Sequence, residues 1–201
     1  MTQSRIRISA AVAILGAFLY YIGDAVTIAG IILPVLWHEL GHVCALRLLG
    51  LRIKGFRAEL RGFCIEYAGY VGEAGHALAA AAGPVAGLLY AAAASRAAAR
   101  WSSPWLEFTA GASLLLSVFN LLPALPLDGG RVALCLATAL LGEERGERTA
   151  RALGMVTGAL LLLAGLWLWT RGMGLAVTIP ALWILLYGNG GQGIVKHGEL
   201  L

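Results

Sequence analysis

Apolar positions run along this chain in long, nearly unbroken blocks, without the two- or 3.6-residue alternation of an element that is half in water. A helix that crosses a bilayer needs about 20 predominantly apolar residues. The blocks Ile6–Gly23, Ala25–Gly50, Ala74–Ser95, Trp105–Leu141, Ala152–Thr170 and Met173–Gly188 approach or exceed that length, and the fourth is interrupted by Pro123 and Pro126. One stretch is patterned differently. From Leu51 to Tyr70, Leu51, Ile53 and Gly55 alternate with Arg52 and Lys54, and Phe63, Ile65 and Tyr67 alternate with Cys64 and Glu66. Period-two spacing on either side of an Ala58–Gly62 turn region predicts a short β-hairpin. The expected fold is an all-α membrane protein of about six transmembrane helices with a small β element. It is read as one polytopic domain over residues 1–201, since no linker or insert is long enough for a second.

Composition sharpens this picture. Apolar residues make up 59% of the chain and charged residues only 13%, against about 25% charged in an ordinary soluble domain. A chain so poor in charge cannot cover a surface in water, whereas a bilayer solvates an apolar exterior. Arg5 and Arg7 precede the first block, as in the front half of a signal peptide, but the next block follows almost at once. An uncleaved first span is therefore expected.

The net charge of +4 does not point to nucleic acid, because the basic residues lie between the apolar blocks and form no dense patch. They carry topology instead. With the first residues inside, eleven basic residues (Arg5, Arg7, Arg47, Arg52, Lys54, Arg57, Arg61, Arg145, Arg148, Arg151, Lys196) fall on the cytoplasmic side and three (Arg96, Arg100, Arg171) on the other. That bias predicts a multi-pass protein of the cell membrane with both ends, and the hairpin, at the cytoplasmic face. Cys44, Cys64 and Cys135 are few and lack metal-type pairing, and they read as reduced packing residues. Glu143–Arg151 mixes three glutamates with three arginines and reads as a solvated helical face.

The second block contains His38-Glu39-Leu40-Gly41-His42. Residues four apart share a helix face, so both imidazoles can meet one ion, and Glu39 stands close enough to take a proton from a metal-bound water. Zinc accepts imidazole readily and brings its water to a pKa near 7. Context strengthens the motif, because between Ala25 and Val43 the only other polar side chain is Thr27. Ionisable groups at membrane depth are expensive and mark function. His38 lies 13 residues after Ala25, about 20 Å along a helix at 1.5 Å per residue, in the half of the span nearer the cytoplasm.

Two histidines leave a catalytic zinc one protein ligand short. Asp128 is the foremost candidate. It sits in Asn120-Leu-Leu-Pro-Ala-Leu-Pro-Leu-Asp128-Gly129-Gly130-Arg131, where two prolines exclude regular helix and two glycines permit sharp turns. Irregular backbone at membrane depth is tolerated only against protein or a wet cavity. Glu66, Glu73, His76 and His197 remain as weaker candidates, in segments where solvated surface charge is the ordinary reading.

With these motifs in hand, the sequence resembles the site-2 proteases, intramembrane zinc metallopeptidases. His-Glu-Leu-Gly-His and the stretch ending Leu127-Asp128-Gly129 match that family's two signatures in order and in separation, 86 residues from His42 to Asp128. Ala82-Gly83-Pro84 is a third, weaker match. The resemblance spans roughly Ala25–Leu141 and is to the sporulation-type branch, with six spans and a site near the cytoplasm. Departures are the absence of a CBS or PDZ domain, and Gly87 where the family often has asparagine.

The resemblance implies His38, His42 and Asp128 as ligands of one zinc ion and Glu39 as general base. It implies Asn120 as a donor to the substrate carbonyl or oxyanion, the alternative for Asn120 being a helix-end or interhelical hydrogen bond. Gly83, Pro84, Pro123 and Pro126 would shape the cavity. The implied activity is hydrolysis of peptide bonds in or beside transmembrane segments of membrane-tethered proteins, with a lipid bilayer, a transmembrane substrate and a regulatory membrane protein as partners. The hairpin offers an edge on which an extended substrate can add as a strand. Competing readings are a non-catalytic relative that binds membrane proteins, a zinc-dependent membrane protease of another type, and a transporter that uses the His/Glu cluster for ions.

Overall fold

The computed structural model describes residues 5–8, 21, 23–59, 62–172, 177–187 and 199–200. Among them are six helices: α1 (Ala25–Leu48), α2 (Glu73–Trp101), α3 (Pro104–Asn120), α4 (Asp128–Leu141), α5 (Glu143–Thr170) and α6 (Thr178–Tyr187). Four strands accompany them: β1 (Arg5–Ile8), β2 (Arg52–Glu59), β3 (Gly62–Ala68) and β4 (Glu199–Leu200). The chain divides into two compact units. The first comprises Met1–Val71, Leu78–Asn120 and His197–Leu201, and the second Gly72–Ala77 and Leu121–Lys196. α1, α2 and α5 are each long and apolar enough to cross a membrane. Of the expected first span, residues 9–20 and 22 lie outside the described residues. Its start is corrected: Ile6–Ile8 belong to β1, where the alternating Arg-Ile-Arg-Ile pattern finds backbone partners on β2.

In the first unit, α1 opens on Asp24, whose carboxylate accepts from the backbone N–H groups of Val26 and Thr27, both at 2.9 Å, and from the Thr27 hydroxyl at 2.7 Å. It closes on Gly50, whose φ of 78° lets the chain reverse so that the Leu51 N–H reaches back to the Leu46 carbonyl at 3.0 Å. The reversal feeds β2, and β2 pairs antiparallel with β3 as the hairpin pattern predicts. The sheet is larger than a hairpin, with strand order β1-β2-β3-β4. It also departs from strict alternation. A register shift between Ile53 and Gly55 brings Ile53 opposite Tyr67 and Phe56 opposite Ile65, so two residues at odd spacing face the same core. That core joins Ile65 and Tyr67 to Ala45, Leu46 and Leu51 at the end of α1, and to Ala79 of α2.

α1, α2 and α3 pack closely because small residues meet at the crossings. A Cβ on Gly41 would stand 2.5 Å from the Ala82 carbonyl oxygen, and one on Gly30 would stand 2.8 Å from the Phe108 ring. α3 turns a polar face inward. Thr109, Ser113 and Ser117 are fully buried; the Thr109 hydroxyl lies 3.0 Å from the Tyr90 hydroxyl, and Ser113 donates to the Gly87 carbonyl at 2.9 Å. The other faces of α1 and α3 expose Leu36, Leu40, Leu115 and Val118.

In the second unit, Leu121–Leu127 carries no regular helix, as Pro123 and Pro126 require, and α4 starts at Asp128. α5 packs through a stripe of small buried residues, Gly146, Ala150, Gly154, Gly158 and Gly165. A Cβ on Gly146 would meet Thr138 of α4 at 2.6 Å, and one on Gly158 would meet Leu185 of α6 at 2.8 Å. The charged run Glu143–Arg151 forms the first turns of α5, with i,i+4 pairs Glu144–Arg148 and Glu147–Arg151. The fifth span is thus the apolar remainder of a longer helix. Of the sixth, 173–176 and Gly188 lie outside the described residues, and α6 occupies the rest after the turn residue Val177.

The capping of α1 has a pH signature. Hydrogen bonds from the Thr27 hydroxyl and the backbone N–H groups of Thr27 and Val26 hold the Asp24 carboxyl below its ordinary value of 3.8. A depressed folded-state pKa contributes stability that is present above the unfolded value and lost as pH falls through the folded one. Asp24→Ala should therefore lower the melting temperature in detergent at pH 7, and the gap from wild type should narrow as pH drops below 3.8. A gap that stays constant with pH would show that the carboxylate does not cap α1.

Candidate metal centre

His38 and His42 face the same side of α1, one turn apart, and are 4% and 2% exposed. Their rings meet edge to face with centroids 4.9 Å apart, and the two Nε2 atoms lie 3.2 Å from each other. Two nitrogens at about 2.0–2.1 Å from one tetrahedral ion stand roughly 3.3 Å apart, so the observed spacing is compatible with a shared metal. The tautomer of His42 follows from its partner. Nδ1 lies 2.8 Å from the backbone carbonyl oxygen of Ala79; a carbonyl only accepts, so Nδ1 carries the hydrogen and Nε2 keeps its lone pair for a metal.

What faces the two nitrogens is the absence of a side chain. A Cβ on Gly83 of α2 would stand 2.2 Å from His42 Nε2 and 2.8 Å from His38 Nε2. Any larger residue would fill the space in front of both ligand atoms. The missing side chain of Gly83 leaves space in front of both Nε2 atoms. Gly41, inside the His38–His42 motif, permits this approach of α2 to α1. The residues of this unit fit a zinc ion in spacing, in tautomer and in free space. Glu39, next along the helix, is half-buried.

Asp128 is the first residue of α4 in the second unit and is 4% exposed. Its setting explains the glycines that follow. A Cβ on Gly129 would strike the Leu121 carbonyl oxygen at 2.2 Å, and one on Gly130 would strike Ala124 at 2.4 Å. The irregular segment thus folds directly onto the helix start, and a carboxylate at a helix N-terminus is stabilised by the N–H groups there. Asn120 closes α3, and its side-chain amide donates to the Leu116 carbonyl at 3.0 Å, the helix-end bond that stood as its alternative role.

The weaker candidates have other surroundings. Glu66 pairs with Arg57 at 2.7 Å. Glu73 and His76 lie in the first turn of α2, with His76 buried, and His197 lies outside the described residues. Gly87, where the resemblance led one to expect asparagine, lies under the Ser117 hydroxyl: a Cβ there would stand 2.2 Å from Oγ. Among the described residues Cys44, Cys64 and Cys135 form no disulfide. The Ala79 carbonyl was not legible in the sequence, since a backbone group in an alanine-rich helix carries no signal of its own.

The model of peptidase family M50 matches residues 68–164, which contain Gly83, Asn120 and Asp128. This stretch of the chain is similar to peptidase family M50. Its fold is similar to that of the site-2 protease from Methanocaldococcus jannaschii, with a TM-score of 0.69 at 22% identity, covering 98% of this chain and 94% of that one. No curated protein matches the sequence. M50 peptidases are zinc metallopeptidases of membranes, and with its three apolar helices this chain is a membrane protein.

Gly83→Ala should therefore abolish stoichiometric metal binding, read as metal per chain in purified protein, with the helical circular dichroism unchanged. One metal per chain in that variant would refute the role given to Gly83.

Proposed function

We propose that this chain is an intramembrane zinc endopeptidase that cleaves membrane-tethered proteins in or beside their transmembrane segments, as in regulated intramembrane proteolysis. The observation that carries the reading is the pair of imidazole nitrogens 3.2 Å apart on an apolar helix, with a glycine opposite them and a glutamate beside them. His38, His42 and Asp128 are the ligands. All three are buried, and His, His and Asp form a donor set suited to zinc with one position left open.

Zinc, when bound, acidifies a coordinated water and polarises the scissile carbonyl. The remaining work falls to side chains. Glu39 accepts the proton of the attacking water and passes it to the leaving amine nitrogen. The Nδ1–H bond to Ala79 fixes the orientation of the His42 ring throughout. Asn120 uses one amide hydrogen on the Leu116 carbonyl; its second hydrogen serves the substrate carbonyl oxygen. The substrate segment must be extended, because an intact helix hides its carbonyls in hydrogen bonds, and β2–β3 offers the sheet on which it is held.

The bias of basic residues supports a multi-pass arrangement in the cell membrane with both ends cytoplasmic and the site in the cytoplasmic half. Partners on this reading are the bilayer, a single-pass substrate and a regulatory membrane protein, with no nucleic acid.

A census of new protein N-termini in membranes expressing wild type or Glu39→Gln tests the proposal without a guess at substrate. Termini inside apolar segments should appear only with Glu39, and turnover of a substrate so identified should fall about 10²–10⁴-fold in the variant with zinc content unchanged. Identical profiles from two folded, zinc-loaded proteins would overturn it in favour of a non-catalytic binder.

A further inference from the structure

Between α2 and α3, within the first unit, runs a groove of about 440 Å³. Its walls are mostly small: Ala91, Ala92 and Ser95 on α2, Ala110 and Gly111 on α3, with the Glu107 carboxylate toward one end. In a bilayer, small residues on a helix mark where another backbone comes close. Gly41, Gly83 and Gly87 each face such a neighbour, whereas a Cβ on Gly111 would meet nothing within 4 Å. Glycine is a poorer helix former than alanine, and among the described residues nothing requires it at 111.

Two charges border the groove. Arg96 lies four residues after Ala92 on α2, and Glu107 four before Gly111 on α3; positions four apart share a helix face. α2 ends at Trp101 and α3 begins at Pro104, so both charges lie toward the same end of the helix pair. At 1.5 Å per residue they stand about 8 Å and 5 Å from those helix ends. Both are exposed, as are Ala92 and Gly111. Neither has an ion-pair partner among the described residues. The patch thus carries an acid and a base at similar depth, each one turn beyond an exposed small residue.

We propose that this groove is a self-association surface, occupied in the membrane by a second copy of the same chain. Copies inserted in one orientation close into a pair about a twofold axis along the membrane normal, which sets equal depths against each other. Arg96 of each copy then meets Glu107 of the other, and Ala92 and Gly111 let the backbones approach. Leu89 and Leu115, exposed beside the groove, fill it from the opposite copy as knobs fill holes. Charge and size together select this occupant. An acyl chain packs on leucine as readily as on glycine and carries no charge. A helix of another protein would need both a base for Glu107 and an acid for Arg96, whereas a second copy supplies both by symmetry. The surface is separate from the histidine pair, since at 3.6 residues per turn Ala92 stands about 180° around α2 from Gly83. The inference therefore needs insertion in one orientation, but neither zinc nor peptidase activity.

The test is energy transfer between full chains fused to donor and acceptor fluorophores and coexpressed in one membrane over a range of densities. An unrelated multi-span protein measures chance proximity. Wild type should exceed that level and saturate as a dimer. Arg96→Glu and Glu107→Arg should each raise the density at half-maximal transfer about tenfold, because each sets like charges opposite at both symmetric contacts. Arg96→Glu donors mixed with Glu107→Arg acceptors should regain the wild-type value, a rescue that a lipid or a different protein in the groove would not give. Gly111→Leu fills the groove from within and should also weaken the pair, with helical circular dichroism unchanged. Zinc content per chain should be the same in every variant, so the dimer and the metal site are read separately. Wild-type transfer at the chance level overturns the proposal and leaves the groove to lipid or to another protein's helix. Dimers that ignore the reversals, or reversals with no rescue in the mixed pair, overturn it as well.

Discussion

One hydrogen bond joins the parts of the first unit that chemistry needs, the one from His42 Nδ1 to the backbone carbonyl of Ala79 at 2.8 Å. It fixes the tautomer, turns Nε2 toward His38, and ties the helix that carries both histidines to α2. Ala79 also lies in the apolar cluster with Leu46 and Ile65, which are 0% and 1% exposed. Each such side chain contributes roughly 1.5–3 kcal/mol on burial. The sheet and the histidine pair therefore share one packed foundation: what displaces β3 disturbs Ala79, and what moves Ala79 turns the His42 ring.

That foundation depends on missing side chains as much as on present ones. Gly41 allows α2 to approach α1, and Gly83 leaves the gap that the approach would otherwise close. The two act in sequence, since without Gly41 the Gly83 backbone would not reach the histidines, and without Gly83 the helices would meet with no space for an ion. Gly129 and Gly130 apply the same device in the second unit, where irregular backbone lies directly on the start of α4. In a bilayer such close backbone packing replaces a hydrophobic driving force that lipid does not supply.

How much of this was legible in the sequence follows from the same physics. His38, Glu39 and His42 were readable because ionisable groups in an apolar run need a reason to be there. The break at Pro123 and Pro126 was readable because proline lacks a backbone donor. The hairpin was visible in its alternation, but not the shift at Ile53–Gly55, because a bulge changes the phase of a strand without changing its composition. The small-residue stripe of α5 was present as Gly146, Ala150, Gly154 and Gly158, four apart, yet glycine spacing alone does not say which helix fills it. Long-range backbone contacts, such as Ala79 to His42 or β4 to β3, leave no mark on residue type at either end.

The contrast between the two faces of α3 shows how one helix meets both lipid and protein. Leu115 is 73% exposed and Ser117 fully buried, two positions apart and so on different sides of the helix. In a soluble protein this arrangement would be inverted and unstable. In a bilayer it is the economical one, since lipid accepts the leucine, while Ser113 finds its acceptor in Gly87 and Thr109 meets the hydroxyl of Tyr90. The polar side of α3 ends at Asn120, the last helical residue before the irregular segment that leads to Asp128. A helix that must gather its polar groups on one side to exist in lipid thereby sets an amide at the end of that side.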